Sequence, residues 1–523
     1  MTGKLKARWR GTPRGRSAGV ALAVIAALTA VPAAATAAPG GAGVRADFNG
    51  DGYTDLAVGV PYERIGTFLP AAGAVNVVYG SAAGLSGGGS QLLDQDVLAG
   101  SAGAGDSFGS AVAAGDFNGD GRADLAIGVP GETVNGRSDA GAINVVYGSA
   151  AGLSLTGDQI WDQSSLADVE EVDDEFGSTL AAGDFNGDGR VDLAVGVPGE
   201  RVGETYGAGA VNVVYGSVNG LSATGNQIWN QDALTGVVES YDHFGSALAA
   251  GDLDGDGRAD LAVGVPFDDI GTTRDAGTLN VIYGGSAGLT AGGNQLWDQR
   301  QVIGATEEGD RFGAAVTAGD FNRDGRADVA VGVPGEAVGS ANEAGAVNVI
   351  YGSGSGLGTA GNQLWDQSSL VGAVEGTDRF GAAVTAGDFN GDGRADLAVG
   401  APGEDVGGTF QAGAVNVIYG SGSGLGAAGN RLWDQSSLAG AVEEGDVLGL
   451  AVAAGDFNGD GRADLAAGAP GEDIGDTLQA GAVNVIYGSA AGLSAGGNQL
   501  WDQPALGGEA EQVEKFGSTL AAG

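Results

Sequence analysis

The sequence predicts an all-β chain: a seven-bladed β-propeller of four-stranded antiparallel blades, with the ring closed by the C-terminal strand pairing with the N-terminal blade. Three observations carry this. A nine-residue string, DFNGDGRAD at 116–124, occurs in seven versions that open at Asp47, Asp116, Asp184, Asp252, Asp320, Asp388 and Asp456, first 69 and then 68 residues apart. Four short apolar segments bounded by Gly, Ser and Pro lie between successive strings, and four strands per unit repeated around a ring make a propeller. Finally, the strand segment missing before the first string, an FG segment, stands at the C-terminus as 516–523. Residues 516–523 are therefore expected to pair beside 55–60, which removes a free sheet edge.

The strands follow from the unit at 108–183. Leu125, Ile127 and Val129 alternate with Ala126 and Gly128, which is strand periodicity, and Pro130 ends the run because it has no N–H to donate. A polar stretch leads to a second apolar strand at 142–147. A Gly/Ser turn (GSAAGLS) and a strand around 159–163 come next, then an acidic loop and an FG strand at 176–183. The nine-residue string is then the hairpin between the innermost and second strands.

The first 38 residues differ in kind. Six basic residues and no acid precede an apolar run from Ala18 to Val31, Pro32 and a small-residue exit near Ala37 or Ala38. This pattern predicts a cleaved secretory signal peptide rather than a membrane anchor. No Arg-Arg pair is present, so the general secretory route is expected. A short linker, 39–46, joins it to the propeller at 47–523. The mature chain is expected to be extracellular, not inserted in a membrane, and monomeric.

Composition narrows the partners. Net charge is −43, and becomes −49 without the leader, so nucleic acid and anionic membranes should be repelled. There is no Cys, which excludes disulfides and thiolate metal sites. Gly makes up 104 of 523 residues, far above the usual share of about 7%, but its fixed place in each repeat marks turns and close packing rather than low complexity.

Within each string, oxygen-bearing side chains fall at positions 1, 3, 5 and 9, with Gly at position 6. This spacing suits a calcium loop whose position 7 contributes a backbone carbonyl. The candidate ligands are Asp47, Asn49, Asp51, Tyr53 and Asp55; Asp116, Asn118, Asp120, Arg122 and Asp124; Asp184, Asn186, Asp188, Arg190 and Asp192. The series continues with Asp252, Asp254, Asp256, Arg258 and Asp260; Asp320, Asn322, Asp324, Arg326 and Asp328; Asp388, Asn390, Asp392, Arg394 and Asp396; Asp456, Asn458, Asp460, Arg462 and Asp464. The Tyr and Arg members act only through their carbonyls. Three or four carboxylates within nine residues repel one another without a cation. An EF-hand is excluded, because its position 12 needs a bidentate Glu and here holds Val58, Ile127, Val195, Val263, Val331, Val399 or Ala467. Asp254 is the one carboxylate at position 3, so its loop should bind tightest. Arg323 replaces the position-4 Gly and is expected to point outward. About seven structural Ca²⁺ ions are predicted. At about 1 mM Ca²⁺ and a Kd of roughly 0.1 mM, each would stabilise the fold by about 1.4 kcal/mol.

The run FGSAVAAGDFNGDGRADLAIGVP at 108–130, followed by GAINVVYG, closely resembles the FG-GAP repeat of the integrin alpha-subunit propeller and its secreted bacterial relatives. The likeness covers nearly all of the expected mature chain. It implies calcium in hairpin loops on one face and ligands on the opposite face. Every repeat here carries the loop, whereas integrins carry it in only some blades.

The remaining candidates read as structural. Trp161, Trp229, Trp297, Trp365, Trp433 and Trp501 share a slot with Leu93, which favours blade packing over a ring of sugar-stacking platforms. His243, the single histidine, shares its slot with Ser107, Glu175, Arg311, Arg379, Val447 and Lys515, which suggests a solvated loop position. No catalytic set is evident. Variation concentrates on the face opposite the loops, at Arg64, Phe68, Arg137, Arg201, Tyr206, Tyr241, His243, Phe267, Arg274 and Phe410. The expected function is a binding or adhesion module for an extracellular glycan or protein. The alternatives are a propeller-based polysaccharide lyase or hydrolase, or a purely structural surface protein.

Overall fold

The computed structural model describes residues 45–66, 69–166 and 168–522. The leader, most of the linker and Phe68 lie outside them. The described residues form seven antiparallel four-stranded sheets, and each successive chain segment adds the next strand outward. In blade 2 the strands are Val112–Gly115, Asp124–Val129, Ala142–Ser149 and Gly152–Trp161.

The innermost strands of neighbouring blades pack on each other around the axis. Crowding there dictates small residues: a Cβ on Gly115 would come within 2.6 Å of Val191, and one on Gly183 within 2.9 Å of Ala250. The second strand is buried throughout, because a blade is covered on both sides. Alternation decides which neighbour each residue meets. Leu125, Ile127 and Val129 pack with Phe48, Val75 and Phe108 toward blade 1. Ala126 packs with Phe176 and Leu193 toward blade 3. The pairing of the third and outer strands has a register irregularity between Val145 and Tyr147, and the outer strand presents an exposed, polar and Gly-rich edge, which discourages pairing with a further strand.

The ring closes as the two ends of the repeat predict. Thr519–Ala521 is the innermost strand of blade 1 and pairs antiparallel with Leu56–Val60, with Leu520 opposite Val58. This strand is three residues long, shorter than the expected 516–523. The same correction applies to the FG segment at 176–183, where the strand is Thr179–Gly183. Glu175 (φ 59°) and Gly177 (φ 93°) adopt left-handed backbone, which interrupts strand geometry, while Phe176 is fully buried. The outer strand expected around 159–163 begins earlier, at Gly152, and ends at Trp161. Asp162 then caps a 3-10 turn, Gln163–Ser165, by accepting the Ser165 N–H. Among the described residues, no helix is long and apolar enough to cross a membrane.

Candidate metal centre and the opposite face

From the second string onward each nine-residue string forms the predicted hairpin, and in blade 1 the string 47–55 precedes Leu56–Val60 while the innermost strand comes from the C-terminus. In blade 2, Asp116 accepts the N–H groups of Asp120 (3.0 Å) and Gly121 (2.8 Å) through its two oxygens. Asn118 also accepts the Asp120 N–H (2.8 Å), and Asp120 accepts that of Arg122 (2.9 Å). Gly119 and Gly121 take left-handed backbone, which lets the chain curl around its own carboxylates. Phe117 anchors the loop from below and is fully buried.

The position-9 aspartate is the most deeply buried acid of each loop. Asp124 has no solvent exposure. Its oxygens accept the Phe117 N–H (3.0 Å) and the Gly148 N–H (2.9 Å) of the adjacent Gly/Ser turn. Burial raises its carboxyl to about 8; the two N–H bonds oppose the rise, and repulsion from Asp116 and Asp120 adds to it. Asp192, Asp260, Asp328 and Asp396 likewise reach about 8, mainly through burial. Asp55 and Asp464 reach about 7 for the same reason. A carboxylate in this setting requires a proton or a cation.

In blade 4, where position 3 is also a carboxylate, oxygens of Asp252, Asp254 and Asp260 all lie within 4.8 Å of one another. In blade 5, the buried Asn322 Oδ1 has no hydrogen-bond partner. Position 5 also pairs with the arginine at position 7: Asp256 with Arg258 at 2.7 Å, and five other loops repeat the pair at 3.2 to 3.8 Å. These pairs are partly exposed and contribute little by themselves. The all-oxygen donor set fits a hard cation such as Ca²⁺. Arg323 does not simply point outward: its guanidinium donates to the Asp392 carbonyl (2.8 Å) in the neighbouring loop.

The loops are also joined to one another. The position-8 N–H donates to the position-1 carbonyl of the preceding blade at every junction, from Ala123 to Asp47 (3.2 Å) round to Thr54 and Asp456 (3.1 Å). The Arg122 side chain lies over Gly50, and Arg190 over Gly119, so a Cβ on either glycine would meet the guanidinium stem at 3.1 to 3.2 Å.

On the opposite face the 130–141 type of loop meets the acidic loop before FG. The slot shared by Ser107, Glu175, His243, Arg311, Arg379, Val447 and Lys515 has left-handed backbone in all seven blades, with φ between 51° and 59°. Its N–H bonds to the neighbouring loop's carbonyl, as from Glu175 to Asp139 (2.9 Å). Backbone geometry, rather than simple solvation, defines this slot. His243 is half-buried, its Nδ1 lies 2.9 Å from the Pro198 carbonyl, and burial lowers its pKa.

Several predicted variable residues gather where blades 3 and 4 meet. Arg201 lies over the Tyr206 ring (4.9 Å), His243 meets Phe267 edge-on (5.5 Å), and Arg311 lies over Phe267 (5.5 Å). Tyr241 bridges them: its N–H donates to the Tyr206 carbonyl (3.0 Å) and its ring centroid is 6.2 Å from that of His243. Tyr206 is 59% exposed and Tyr241 64%. Phe410 is exposed elsewhere on this face. The tryptophan slot is packing: Trp297 and Trp433 are buried with blade-core residues, as is Leu93.

Sequence reasoning missed a second acidic tier at the blade junctions on this face. Gln163 donates to Glu200 of the next blade (2.6 Å), and Gln299, Gln367 and Gln503 make the same bond to Glu336, Glu404 and Glu63 at 2.5 to 2.6 Å. Burial first, then Asp168 and Asp174, push Glu200 up to about 9. The recurring WDQ and PGE triplets were the available signal.

A seven-bladed ring with an acidic loop in every blade defines the class of protein. The chain belongs to the FG-GAP repeat family, whose model matches residues 35–78, 108–146, 176–214, 244–281, 312–350, 380–418 and 448–486. It is 32% identical over 253 residues to integrin alpha-PS2 of Drosophila melanogaster, covering 47% of this chain and 16% of that protein. It is 38% identical over 153 residues to mouse phosphatidylinositol-glycan-specific phospholipase D, covering 29% of this chain and 17% of that protein. The matched region is thus less than a fifth of either relative. A rhamnogalacturonan lyase of Bacillus licheniformis aligns over 88% of this chain and 76% of its own at 12% identity, with a TM-score of 0.35.

Proposed function

We propose that this chain is a secreted, calcium-stabilised binding or adhesion module that takes an extracellular glycan or protein on the face opposite its acidic hairpins. The observation that carries this is the strip Arg201–Tyr206–Tyr241–His243–Phe267–Arg311, which combines exposed aromatic rings with cations along the face from blade 3 to the junction of blades 4 and 5. Flat rings with one polar edge suit sugar faces and protein hot spots alike. The hairpins of the other face hold Ca²⁺ through the side chains of positions 1, 3, 5 and 9 and the carbonyl of position 7. Their role is structural, because the protein fills the donor set. The basic, apolar and small-residue order of the leader supports export. The module works as a monomer.

The test is binding of the mature protein to an array of glycans and cell-surface proteins, at about 1 mM Ca²⁺ and again in excess EDTA. The expected result is a hit that is lost in EDTA and lost in Tyr206→Ala and Tyr241→Ala variants that remain folded. A folded, calcium-loaded protein that binds nothing on the array would refute the adhesion reading for those ligands. Turnover of an arrayed polysaccharide would replace it with the lyase or hydrolase alternative.

A further inference from the structure

The junction of blades 3 and 4 holds an acidic pocket outside the nine-residue loops, on the other face of the ring. Gln231 opens the 3-10 turn Gln231–Ala233 after the outer strand of blade 3. Glu239 and Asp242 follow on the acidic loop, and Asp268 enters from blade 4 just beyond the strand Asp260–Val265. One carboxylate oxygen from each of Glu239, Asp242 and Asp268 lies within 4.8 Å of the other two. Asp242 is 2% exposed and Asp268 6%.

Some of this charge is met by hydrogen bonds. Asp268 accepts the Thr278 hydroxyl (2.6 Å) and the Gln231 amide N–H (3.1 Å), and Asp242 accepts the Glu239 backbone N–H (2.8 Å). None of the three acids forms an ion pair with a described Lys, Arg or His. Arg300, whose charge is felt at Asp268, is bound to Asp298 at 2.7 Å. An independent feature is the Gln231 amide oxygen. Gln231 is 2% exposed and its Nε2 faces the cluster at Asp268, while its Oε1 is buried with no hydrogen-bond partner. A buried amide oxygen without a donor is destabilising, and three converging carboxylates offer it no proton while ionised. A cation at the centre would satisfy all four groups at once.

We propose that Gln231, Glu239, Asp242 and Asp268 form a further hard-cation site, for a divalent ion such as Ca²⁺, that ties blade 3 to blade 4 beneath the aromatic strip. Three carboxylates and an amide oxygen, with no sulfur or imidazole among the donors, select an oxygen-seeking ion. The site is separate from the hairpins and does not depend on their filling. Between blades 5 and 6, Gln367 Oε1, Glu375 Oε2 and Asp378 Oδ1 are likewise buried without partners. At the junction of blades 1 and 2, Gly103 stands in the place of the loop glutamate, so that junction lacks one carboxylate.

Equilibrium dialysis of the full chain against Ca²⁺, with bound metal counted per folded protein, tests the assignment. Glu239→Gln/Asp242→Asn should bind one ion fewer than the parent. Glu239→Gln alone changes only a rim carboxylate, so it preserves the test if the double variant fails to fold, and it should weaken one class of site about tenfold or more. Asp260→Asn serves as the hairpin control. A loss with the junction variants but none with Asp260→Asn would refute the hairpin reading and leave this one standing. Ion counts and affinities equal to the parent in both junction variants would overturn the proposal, leaving a pocket that is neutralised by protons.

Discussion

The two faces of the ring use the same seven-fold framework in opposite ways. On the hairpin face, each residue serves its own loop and its neighbour's: the Asp47 carbonyl receives Ala123, and Arg122 covers Gly50 while pairing with Asp120. Few substitutions satisfy both demands, so the seven copies are nearly identical. On the opposite face, blades are joined chiefly through main-chain bonds between left-handed residues, such as Glu175 to Asp139 and His243 to Gly207. Once the backbone sets the geometry, the side chain is free to be Ser, Glu, His, Arg, Val or Lys. The contrast shows how a repeat can carry recognition on one face without loosening the ring on the other.

Removing calcium should break the comparison most severely. Seven hairpin sites at about 1.4 kcal/mol each come to about 10 kcal/mol, which is comparable to a typical domain's whole stability. Calorimetry in calcium and in EDTA should therefore show a fall in Tm of tens of degrees. An unchanged Tm would remove cations from the account.

Next in size is Phe244→Ala. This fully buried side chain is common to both faces' framework, and its loss should cost about 3 to 5 kcal/mol by chemical denaturation, with or without calcium.

Asp260→Asn separates charge from packing. In calcium it should forfeit one site, about 1.4 kcal/mol or more. In EDTA it should be neutral or stabilising, because the buried Asp260 carboxylate is penalised there. Destabilisation of equal size in both conditions would assign Asp260 to packing alone.

The pH dependence without metal sharpens the same point. Asp124 at about 8 and Glu200 at about 9 bind protons more tightly folded than unfolded. Stability in EDTA should therefore be highest near pH 4, where the unfolded carboxyls titrate, and fall as pH rises to about 8 to 9, since across that window the folded state holds more protons than the unfolded one. Calcium should flatten or reverse this slope, because it replaces those protons. Thermal melts across pH 5 to 9 in both conditions would measure it.

The smallest effect on stability is expected for Tyr241→Ala, within about ±0.5 kcal/mol as for other exposed sites, while ligand binding on the array is lost. A large stability change would move Tyr241 from recognition into the framework.

Much of the architecture is legible in one dimension because a fixed period makes every local signal recur. The acid and glycine spacing of the hairpin depends on neighbours in sequence, and so does the alternation at Leu125–Ile127–Val129. The missing FG strand even announced which ends would meet. The limits of the FG strand were not legible: Phe176 looks like strand, and only the left-handed Glu175 and Gly177 exclude it. Arg323 was equally opaque, since its partner, the Asp392 carbonyl, lies 69 residues away on the next blade.

The sequence by itself determined the number of blades, the strand order, the place of the acidic hairpins and the position-9 carboxylates, because each of these is set by local spacing and a strict repeat. Only the tertiary structure decided that position 5 pairs with Arg at position 7 in six of the loops, that the histidine slot is a backbone device, and that Gln231, Glu239, Asp242 and Asp268 converge. Those features arise where two blades meet, and the distance between residues 231 and 268 across a seam is a property of packing that no spacing along the chain encodes.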